Sequence, residues 1–463
     1  MSFQAAILAA GKGTRMRSNK IKVLHEILGR PLIDWVVDAA FDSGAEHVAV
    51  VLGHDRERVE AHLSSRADAE HIAYAVQEEQ HGTGHAVWEA RDGLSSEYTH
   101  TLVLYGDVPN LSADTIKAFI ADAAAANKPL AVMTAVLDDP ARYGRIIRDE
   151  SGAPIAVVEY KDATDEQRAI QEINTGIYLA RTDFMLRELE LLCSKPPNNA
   201  QNEYYLTDLV EFAANQEGVF GWALDDIDEI QGVNTRQDLS VATEFARRRI
   251  NQKHMLSGVT LLDPATTYIG AGVTIEQDTV IYPQVTLEGN SSIATGTRIE
   301  SGTLLRDAQI GQDCHIKASC YITEAKVEDG ASVGPFAHLR PGADIGQGCK
   351  VGNFVEIKKT RMNAGSKASH LTYLGDAEVG EKANIGAGTI TCNYDGENKF
   401  KTTIGAGAFI GSNSSLVAPV TIADGAYVGA GSTITADIPE GALGVARGKQ
   451  RNIEGWVERT KKK

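Results

Sequence analysis

The sequence of 463 residues predicts two folds in one chain, an α/β domain followed by a parallel β-helix built from hexapeptide repeats. In the first half, short apolar runs alternate with helix-like segments. In the second, aliphatic residues recur every six positions. Glycine follows the same division, with 15 glycines in residues 1–255 and 29 in the shorter remainder. The predicted domains are residues 1–235, a linker helix over 236–257, and residues 258–463.

The composition excludes several classes of protein. A hydrophobic content of 43% indicates a globular chain, and no run of about 18 apolar residues predicts a membrane span. The N-terminus lacks the pattern of a secretion signal. The five cysteines show no CxxC spacing, which argues against a zinc site or a disulfide framework and favours the cytoplasm. A formal net charge of −17 argues against nucleic-acid binding.

The first domain is predicted from strands that alternate with helices. Phe3–Ala10, His47–Leu52 and Thr101–Tyr105 are apolar runs of strand length, whereas Leu32–Phe41 and Leu111–Ala126 have helical patterns. This alternation is typical of a mostly parallel sheet with helices on both faces. Such sheets bind ligands at the carboxyl ends of their strands, so functional residues are expected there.

The second domain is predicted from its repeat. Six residues turn an α-helix through about 600°, so a helix cannot keep a period of six on one face. A coil of three short strands can, with the aliphatic residue inside and glycine at the corners. The 24 anchors predict eight coils, a stack ~38 Å long at roughly 4.8 Å per strand. The anchors are Ile269, Ile275, Ile281, Leu287, Ile293, Ile299, Leu305, Ile310, Ile316, Ile322, Val327, Val333, Leu339, Ile345, Val351, Ile357, Val379, Ile385, Ile404, Ile410, Leu416, Ile422, Val428 and Ile434.

Between the two domains, Ser240–Met255 is polar and helical in composition, which predicts the linker helix. A glycine loop, Leu8–Met16 (LAAGKGTRM), follows the first strand. Glycine lets backbone N–H groups approach a phosphate, and Lys12, Arg15 and Lys22 add the positive charge that a triphosphate needs. Two glycines alone would fit a structural turn equally well.

Further motifs follow this loop in order. They are Gln77, Gln80–Gly84 (QHGTG), Tyr105–Asp107 (YGD), Tyr143–Ile146 (YGRI), Glu159, Glu172–Gly176 (EINTG) and Gly232–Asn234 (GVN). With the hexapeptide repeats, they make nearly the whole chain resemble the bacterial bifunctional N-acetylglucosamine-1-phosphate uridyltransferase/glucosamine-1-phosphate acetyltransferases. The resemblance implies a Rossmann-like nucleotidyltransferase domain and a left-handed β-helix. The chain departs from the family at Ile21, where proline is common, and at His81, where leucine is common.

The resemblance implies that the first domain transfers UMP from UTP to N-acetylglucosamine-1-phosphate and releases pyrophosphate. Asp107 and Asn234 would hold Mg²⁺, and Lys22 and Arg15 would stabilise the phosphates. The uracil would be held by Gln77, Gly82 and Thr83, and the sugar by Gly144, Glu159 and Asn174. The remaining substrate contacts implied are Leu8, Ala9, Ala10, Gly11, Lys12, Gly13, Thr14, Tyr105 and Gly106.

The second domain would acetylate glucosamine-1-phosphate with acetyl-CoA. Residues 358–378 and 391–403 leave the six-residue register, which predicts two surface loops. His370, in the first of them, would accept the proton of the amine, with Glu356 orienting it and Asn384 near the oxyanion. The amino-sugar phosphate contacts implied are Arg340, Lys358, Tyr373, Asn384, Asn393 and Tyr394. The acetyl-CoA contacts implied are Ala387, Ser412, Ala430 and Arg447.

The resemblance further implies that the product, UDP-N-acetylglucosamine, feeds bacterial wall and envelope synthesis, and that the chain forms a homotrimer. The expected partners are small molecules, with neither nucleic acid nor a membrane. Two alternatives remain. One is a nucleotidyltransferase with a regulatory β-helix, similar to ADP-glucose pyrophosphorylase, which should lack Arg340, Lys358, His370 and Asn384. The other is a non-enzymatic assembly subunit, which should have lost Lys22, Asp107 or the glycine loop.

Overall fold

The computed structural model describes residues 1–53 and 55–461, and it divides into two compact units, Met1–Ala246 and Arg247–Lys463. The last two residues of the second predicted domain, 462 and 463, lie outside the described part of the chain. Among the described residues, no helix is both long and apolar enough to cross a membrane. Each unit has its own hydrophobic core.

The first unit is built on a mixed sheet that has nine strands among the described residues. Its main path runs β11-β7-β10-β6-β1-β4-β5, in which only β10 is antiparallel to its neighbours, and β8 and β9 form an extension beside β10. A two-stranded ribbon of β2 and β3 lies apart. The strands are β1 Phe3–Leu8, β2 Glu26–Ile27, β3 Arg30–Pro31, β4 Val48–Leu52, β5 Ile72–Val76, β6 His100–Tyr105, β7 Leu130–Val136, β8 Arg145–Arg148, β9 Pro154–Val158, β10 Glu172–Arg181 and β11 Val219–Ala223.

Helices cover both faces of this sheet, as the alternating pattern predicts. Helices α1, α2 and α4 pack on one face around one apolar core, and α3, α6 and α7 pack on the other around a second. The helices are α1 Leu32–Ser43, α2 Arg56–Leu63, α3 Thr83–Glu89, α4 Ala113–Ala126, α5 Asp165–Arg168, α6 Thr182–Cys193, α7 Asp208–Ala214, α8 Arg236–Leu256 and α9 Trp456–Thr460. Short 3₁₀ turns occupy Thr14–Met16, Lys22–Leu24, Ala69–His71, Ala90–Gly93 and Ile227–Ile230.

The second unit is a parallel β-helix with three faces, which contain eleven, ten and nine strands among the described residues. Face 1 consists of Thr260–Leu261, Val280–Ile281, Arg298–Ile299, His315–Ile316, Ser332–Val333, Lys350–Asn353, Lys367–His370, Asn384–Ile385, Phe409–Ile410, Tyr427–Val428 and Leu443–Gly444. Face 2 consists of Tyr268–Ile269, Thr286–Glu288, Leu304–Arg306, Tyr321–Thr323, His338–Leu339, Glu356–Lys358, Tyr373–Gly375, Ile390–Cys392, Ser415–Val417 and Thr433–Ile434. Face 3 consists of Thr274–Ile275, Ser292–Ile293, Gln309–Ile310, Lys326–Val327, Ala343–Ile345, Thr360–Met362, Ala377–Val379, Thr402–Ile404 and Val420–Ile422.

Among the described residues the β-helix has more strands than the 24 predicted anchors, and half of the excess lies at residues 358–378, where the predicted break does not exist. Strands continue through this segment, with Met362, Ala368 and Leu374 pointing into the core where aliphatic anchors are expected. Methionine and alanine fill the inward position without matching the aliphatic pattern. The second predicted break is a real excursion, since the chain leaves the coil between Cys392 and Thr402.

Helix α8 runs from Arg236 to Leu256, and the division between the two units falls inside it, between Ala246 and Arg247. In the second unit, Asn251 donates hydrogen bonds from its amide to the carbonyl oxygens of Pro264 and Thr267, at 2.9 and 3.0 Å. The end of the helix is therefore fixed to the first coil rather than free of it.

Candidate active sites

The glycine loop lines a pocket at the carboxyl ends of β1 and β6. Gly13 has φ +61°, and a side chain there would lie 2.6 Å from Lys22 Cβ, so only glycine lets the loop pass this lysine. Lys12 lines an adjoining groove together with Gln77 and Gln80. The pocket, of about 250 Å³, is lined by Leu8, Ala9, Ala10, Gly11, Lys22, Val23, Gln77, Gln80, Gly82, Thr83, Ala86, Tyr105, Asp107 and Glu203.

Four of the predicted residues meet at this pocket. The Lys22 ammonium lies 2.5 Å from Asp107 Oδ2 and 3.2 Å from Asn234 Oδ1. Arg15 donates to the same Asn234 oxygen at 2.9 Å. Asp107 and Asn234 come from distant parts of the chain, and the backbone N–H of Val233 joins them by donating to Asp107 O at 2.8 Å.

The oxygens of this cluster fit a divalent cation of the Mg²⁺ type. One carboxylate oxygen and one amide oxygen already converge on a single cationic nitrogen. Mg²⁺ prefers oxygen ligands and takes only one or two from the protein when a substrate phosphate supplies others. In the described part of the chain, no group of three His, Cys, Asp or Glu side chains could hold a metal by itself. A cation here would therefore depend on the substrate for its remaining ligands.

The backbone at Ile21 has angles that are compatible with proline. Its φ is −58° and its ψ 139°, angles that proline also adopts. The 3₁₀ turn that carries Lys22 begins directly after it. His81, the second departure, is exposed, and its ring lies 2.8 Å from the Glu79 carboxylate.

Gly82 and Thr83, predicted to hold uracil, begin helix α3 at the pocket. Gly82 has φ +105°, and a side chain there would meet the backbone of Tyr204 at 2.5 Å. Thr83 Oγ1 accepts a hydrogen bond from the backbone N–H of Leu206 at 3.2 Å. The segment that contains Tyr204 and Leu206 therefore closes one side of the pocket.

The residues predicted to hold the sugar form a second group. The backbone N–H of Asn174 donates to Gly144 O at 2.9 Å, and Thr207 donates to Glu159 Oε1 at 3.4 Å. Burial raises the pKa of Glu159, and Asp162 and Asp208 add to the effect. Burial also raises the pKa of Asp208, to about 6. Carboxyl groups with raised pKa values are typical of ligand sites.

Other predicted residues contribute to the packing and the turns around this site. Gly106 follows β6, and a Cβ there would lie 3.1 Å from Ala9 and Ile33. Tyr105 packs against Gly176, where a Cβ would lie 2.6 Å from the ring. Thr14 opens the 3₁₀ turn Thr14–Met16.

In the second unit, His370 and Asn353 face each other on adjacent strands of face 1. They are partners in the parallel register, and His370 Nδ1 lies 2.6 Å from Asn353 Oδ1. An amide oxygen can only accept, so Nδ1 carries the hydrogen and Nε2 keeps a lone pair. Asn353 is absent from the predicted site. Its signal is its spacing of 17 residues from His370, the length of one coil.

Glu356, predicted to orient His370, forms an ion pair with Arg340 at 2.8 Å. Lys358 lies near Lys399, a residue that the sequence reasoning missed. Lys399 and Arg340 lower the pKa of Lys358, because they place further positive charge beside it, while Asp376 opposes the shift. The three basic side chains provide the charge that a phosphate needs.

Lys399 belongs to the excursion of the chain after Cys392. A bridge between Tyr394 and Lys399 closes this loop, and Tyr394 also donates to the carbonyl oxygen of Gly396. Asn393 donates to Asp376 Oδ2 at 2.5 Å, which fixes the start of the loop to the preceding coil. Tyr373 lies beside Glu356 in the register of face 2. Apart from Asn384, which lies on face 1, the predicted sugar-phosphate residues and Lys399 thus lie on face 2 and its loop.

The predicted acetyl-CoA residues lie in the turns that follow successive strands of face 1. Backbone hydrogen bonds connect Ala387 to Asn413 and Ser412 to Gly431, one coil after the other. Arg447 reaches back and donates to Ala430 O at 2.8 Å. The same series of backbone hydrogen bonds includes Leu371 in the preceding coil, whose carbonyl oxygen accepts from Gly388 N. Asn384 lies on the strand next to that of His370. The row therefore leads along the edge of the β-helix to His370.

Comparisons with known proteins agree with this arrangement. The chain matches the MobA-like NTP transferase domain over residues 5–166 and the bacterial transferase hexapeptide repeat over residues 324–359 and 401–436. The predicted Rossmann-like nucleotidyltransferase domain and left-handed β-helix are thereby confirmed.

Full-length relatives are similar over both units. The bifunctional protein GlmU of Trichlorobacter lovleyi is 48% identical, and the match covers 98% of each chain. That of Pelobacter propionicus is 47% identical over 99% of each chain. That of Anaeromyxobacter sp. is 50% identical over 99% of this chain and 93% of its own.

Proposed function

The chain belongs to the family of bifunctional GlmU proteins and is a bifunctional transferase, and on this premise we propose which reaction each unit performs. The second unit acetylates glucosamine-1-phosphate with acetyl-CoA. The first then transfers UMP from UTP to the N-acetylglucosamine-1-phosphate and releases pyrophosphate. The observation that carries the proposal is that each unit gathers cationic side chains. Lys22 and Arg15 meet at Asn234 in the first unit, and Lys358 lies near Lys399 and Arg340 in the second.

In the uridylyl site, a phosphate oxygen of N-acetylglucosamine-1-phosphate attacks the α-phosphorus of UTP. The new P–O bond forms as the bond to pyrophosphate breaks. The attacking oxygen is already anionic, so the site needs no general base. Catalysis consists of holding the two anions together and neutralising their charge. Lys22 and Arg15 supply this charge, and the glycine loop donates backbone N–H groups.

Asp107 and Asn234 are the residues that we assign to Mg²⁺, through the two oxygens that now face Lys22. The cation would neutralise charge on the phosphates of UTP when bound. Binding requires Lys22 to leave Asp107, and the triphosphate offers the ammonium a new anionic partner. The same lysine therefore balances Asp107 in the free enzyme and the phosphates in the complex.

In the acetyl site, the amine of glucosamine-1-phosphate attacks the thioester carbonyl of acetyl-CoA. His370 Nε2 accepts the amine proton, because Asn353 keeps the other ring hydrogen on Nδ1. The tetrahedral intermediate then releases the CoA thiolate, which the imidazolium can protonate. Asn384, on the neighbouring strand, is assigned to the oxyanion. Arg340, Lys358 and Lys399 hold the sugar phosphate.

The two alternative functions each expect residues to be missing. A regulatory β-helix gives no reason for His370 to contact Asn353, or for Lys358 to lie near two further basic side chains. An assembly subunit gives no reason for Lys22, Asp107 and Asn234 to converge. We further propose a cytoplasmic location, which the five free cysteines of the described chain favour.

The test is a time course with glucosamine-1-phosphate, acetyl-CoA, UTP and Mg²⁺, followed by mass spectrometry. N-acetylglucosamine-1-phosphate should appear first and UDP-N-acetylglucosamine second. Asp107→Asn should reduce uridylyl transfer by at least about 100-fold and spare acetylation, since it removes the charge that binds the cation. His370→Ala should do the converse.

Matched controls use residues of the same type outside both sites. Asp114→Asn changes an exposed carboxylate on α4, and His315→Ala changes a half-buried histidine on face 1 that lies 2.6 Å from Glu300. Both variants should retain both activities. Equal loss of the two activities in His370→Ala would contradict separate sites. Absence of the acetylated sugar from the wild-type reaction would contradict the acetyltransferase assignment and leave the β-helix with a structural role.

A further inference from the structure

The side-chain amide of Gln77 is held in one orientation at the edge of the nucleotide pocket. Gln77 is only 4% exposed, and its Nε2 lies 3.0 Å from the carbonyl oxygen of Gly82. A carbonyl oxygen only accepts, so the nitrogen end of the amide must face it. The second hydrogen of Nε2 is directed to His85 Nδ1 at 3.1 Å. With both hydrogens committed, Oε1 is the polar atom that Gln77 offers to a ligand.

The hydrogen of the Gln77 amide fixes the tautomer of His85, because Nδ1 must keep its lone pair to accept it. The ring hydrogen is then on Nε2, which lies 3.3 Å from Glu89 Oε1, one turn later in α3. Burial lowers the pKa of His85, which favours the neutral ring, while Glu89 and Glu79 oppose and His81 and Arg91 support the shift.

The ring of His85 is also fixed in space. Tyr204 stacks on it, with ring centroids 6.1 Å apart, and the His81 ring meets it edge-on at 5.2 Å. His85 itself does not line the pocket, whereas Gln77 does. The contacts Glu89–His85–Gln77 therefore form a chain that ends at the pocket.

We propose that His85, fixed by Glu89, is a positioning residue that sets the base selectivity of the nucleotide site through the Gln77 amide. Uracil carries a hydrogen on N3, which Gln77 Oε1 can accept. Cytosine has a lone pair at N3, which would face the same oxygen without a hydrogen between them. An amide that cannot turn over therefore selects UTP against CTP. This inference rests on the proposed function, in which Gln77 faces the base.

The test compares the binding of UTP and CTP to the full chain by calorimetry in the presence of Mg²⁺. His85→Leu removes the acceptor of the Gln77 hydrogen. The ratio of the Kd for CTP to the Kd for UTP should then fall about tenfold, the value of one hydrogen bond. His85→Asn places an amide oxygen close to the position of Nδ1 and should retain most of the wild-type ratio. Glu89→Ala removes the carboxylate that lies beside His85 Nε2, so the ring can adopt either tautomer. It should reduce the ratio of the Kd for CTP to the Kd for UTP by a smaller factor.

A matched control is His71→Leu, which removes an exposed histidine that also lies near a carboxylate, 3.5 Å from Glu70. Its Kd ratio should equal that of the wild type. A purely structural role for His85 would weaken UTP and CTP binding equally, and an unchanged ratio in His85→Leu would overturn the inference. So would a wild-type protein that binds UTP and CTP equally.

Because the readout is binding, the inference and the proposed function can fail separately. A wild-type chain that prefers UTP but transfers no UMP would refute the uridylyl reaction and leave the role of His85 supported by its Kd ratios. Urea unfolding followed by circular dichroism measures the folding of each variant, since acetylation by the other unit would not report on the unit that contains His85.

Discussion

A single amide, that of Asn353, decides which nitrogen of His370 carries a hydrogen. His370 Nδ1 lies 2.6 Å from Asn353 Oδ1, and this hydrogen bond leaves Nε2 free to accept a proton, as the predicted base requires. His370 is exposed, so packing does little to hold the ring. Its orientation therefore depends on this hydrogen bond and on the short strand that carries it.

Replacing Asn353 should change acetylation in two distinguishable ways. Asn353→Ala should lower kcat about tenfold, because the ring loses the contact that orients it. Asn353→Asp should keep the orientation but move the acid limb of the pH–rate profile to higher pH, because a carboxylate stabilises the imidazolium. The measurement is kcat for acetyl transfer from pH 5 to 9.

The control for the added charge is Asn290→Asp, in a coil that carries none of the site residues. Its profile should match that of the wild type. If Asn353→Asp shows the wild-type profile as well, Asn353 is not the residue that orients His370.

At the scale of elements, the sequence was informative where packing imposes a period. The six-residue repeat revealed the β-helix, and apolar runs placed β1, β4 and β6 close to their observed bounds. The repeat failed at Met362 and Ala368, because the inward position accepts any apolar side chain that fits. The contact of Asn353 with His370 was missed, since it follows from the length of one coil rather than from a motif.

The continuous coil through residues 358–378 predicts that Leu374 contributes to the stability of the β-helix. Leu374 is fully buried in the core of the β-helix, so Leu374→Ala should cost about 2–5 kcal/mol through a cavity. Leu262→Ala, at a position 53% exposed, should cost less than about 0.5 kcal/mol. Urea unfolding of the full chain, followed by circular dichroism, measures both. Equal midpoints for the two variants would mean that residues 358–378 form a loop after all.

At the scale of the whole molecule, the β-helix exposes apolar side chains that a single chain leaves uncovered. Phe336 and Phe354 stack along one edge, with ring centroids 5.4 Å apart, and both are more than half exposed. Leu371, next to His370, continues this row. Contiguous exposed apolar groups of this kind mark interfaces. We therefore expect three chains to associate through this edge, as the resemblance to the family implies.

Association through this edge gives a prediction about mass and activity together. Three chains of 49.7 kDa should sediment at about 149 kDa. The double variant Phe336→Ser/Phe354→Ser should fall toward the mass of one chain, because it removes apolar area that only an interface would bury. It should also lose acetylation and keep uridylyl transfer, since the row ends beside His370. Leu256→Ser, which alters an exposed leucine at the end of α8, is the control and should stay at 149 kDa. A double variant that keeps the larger mass would exclude this edge from the interface.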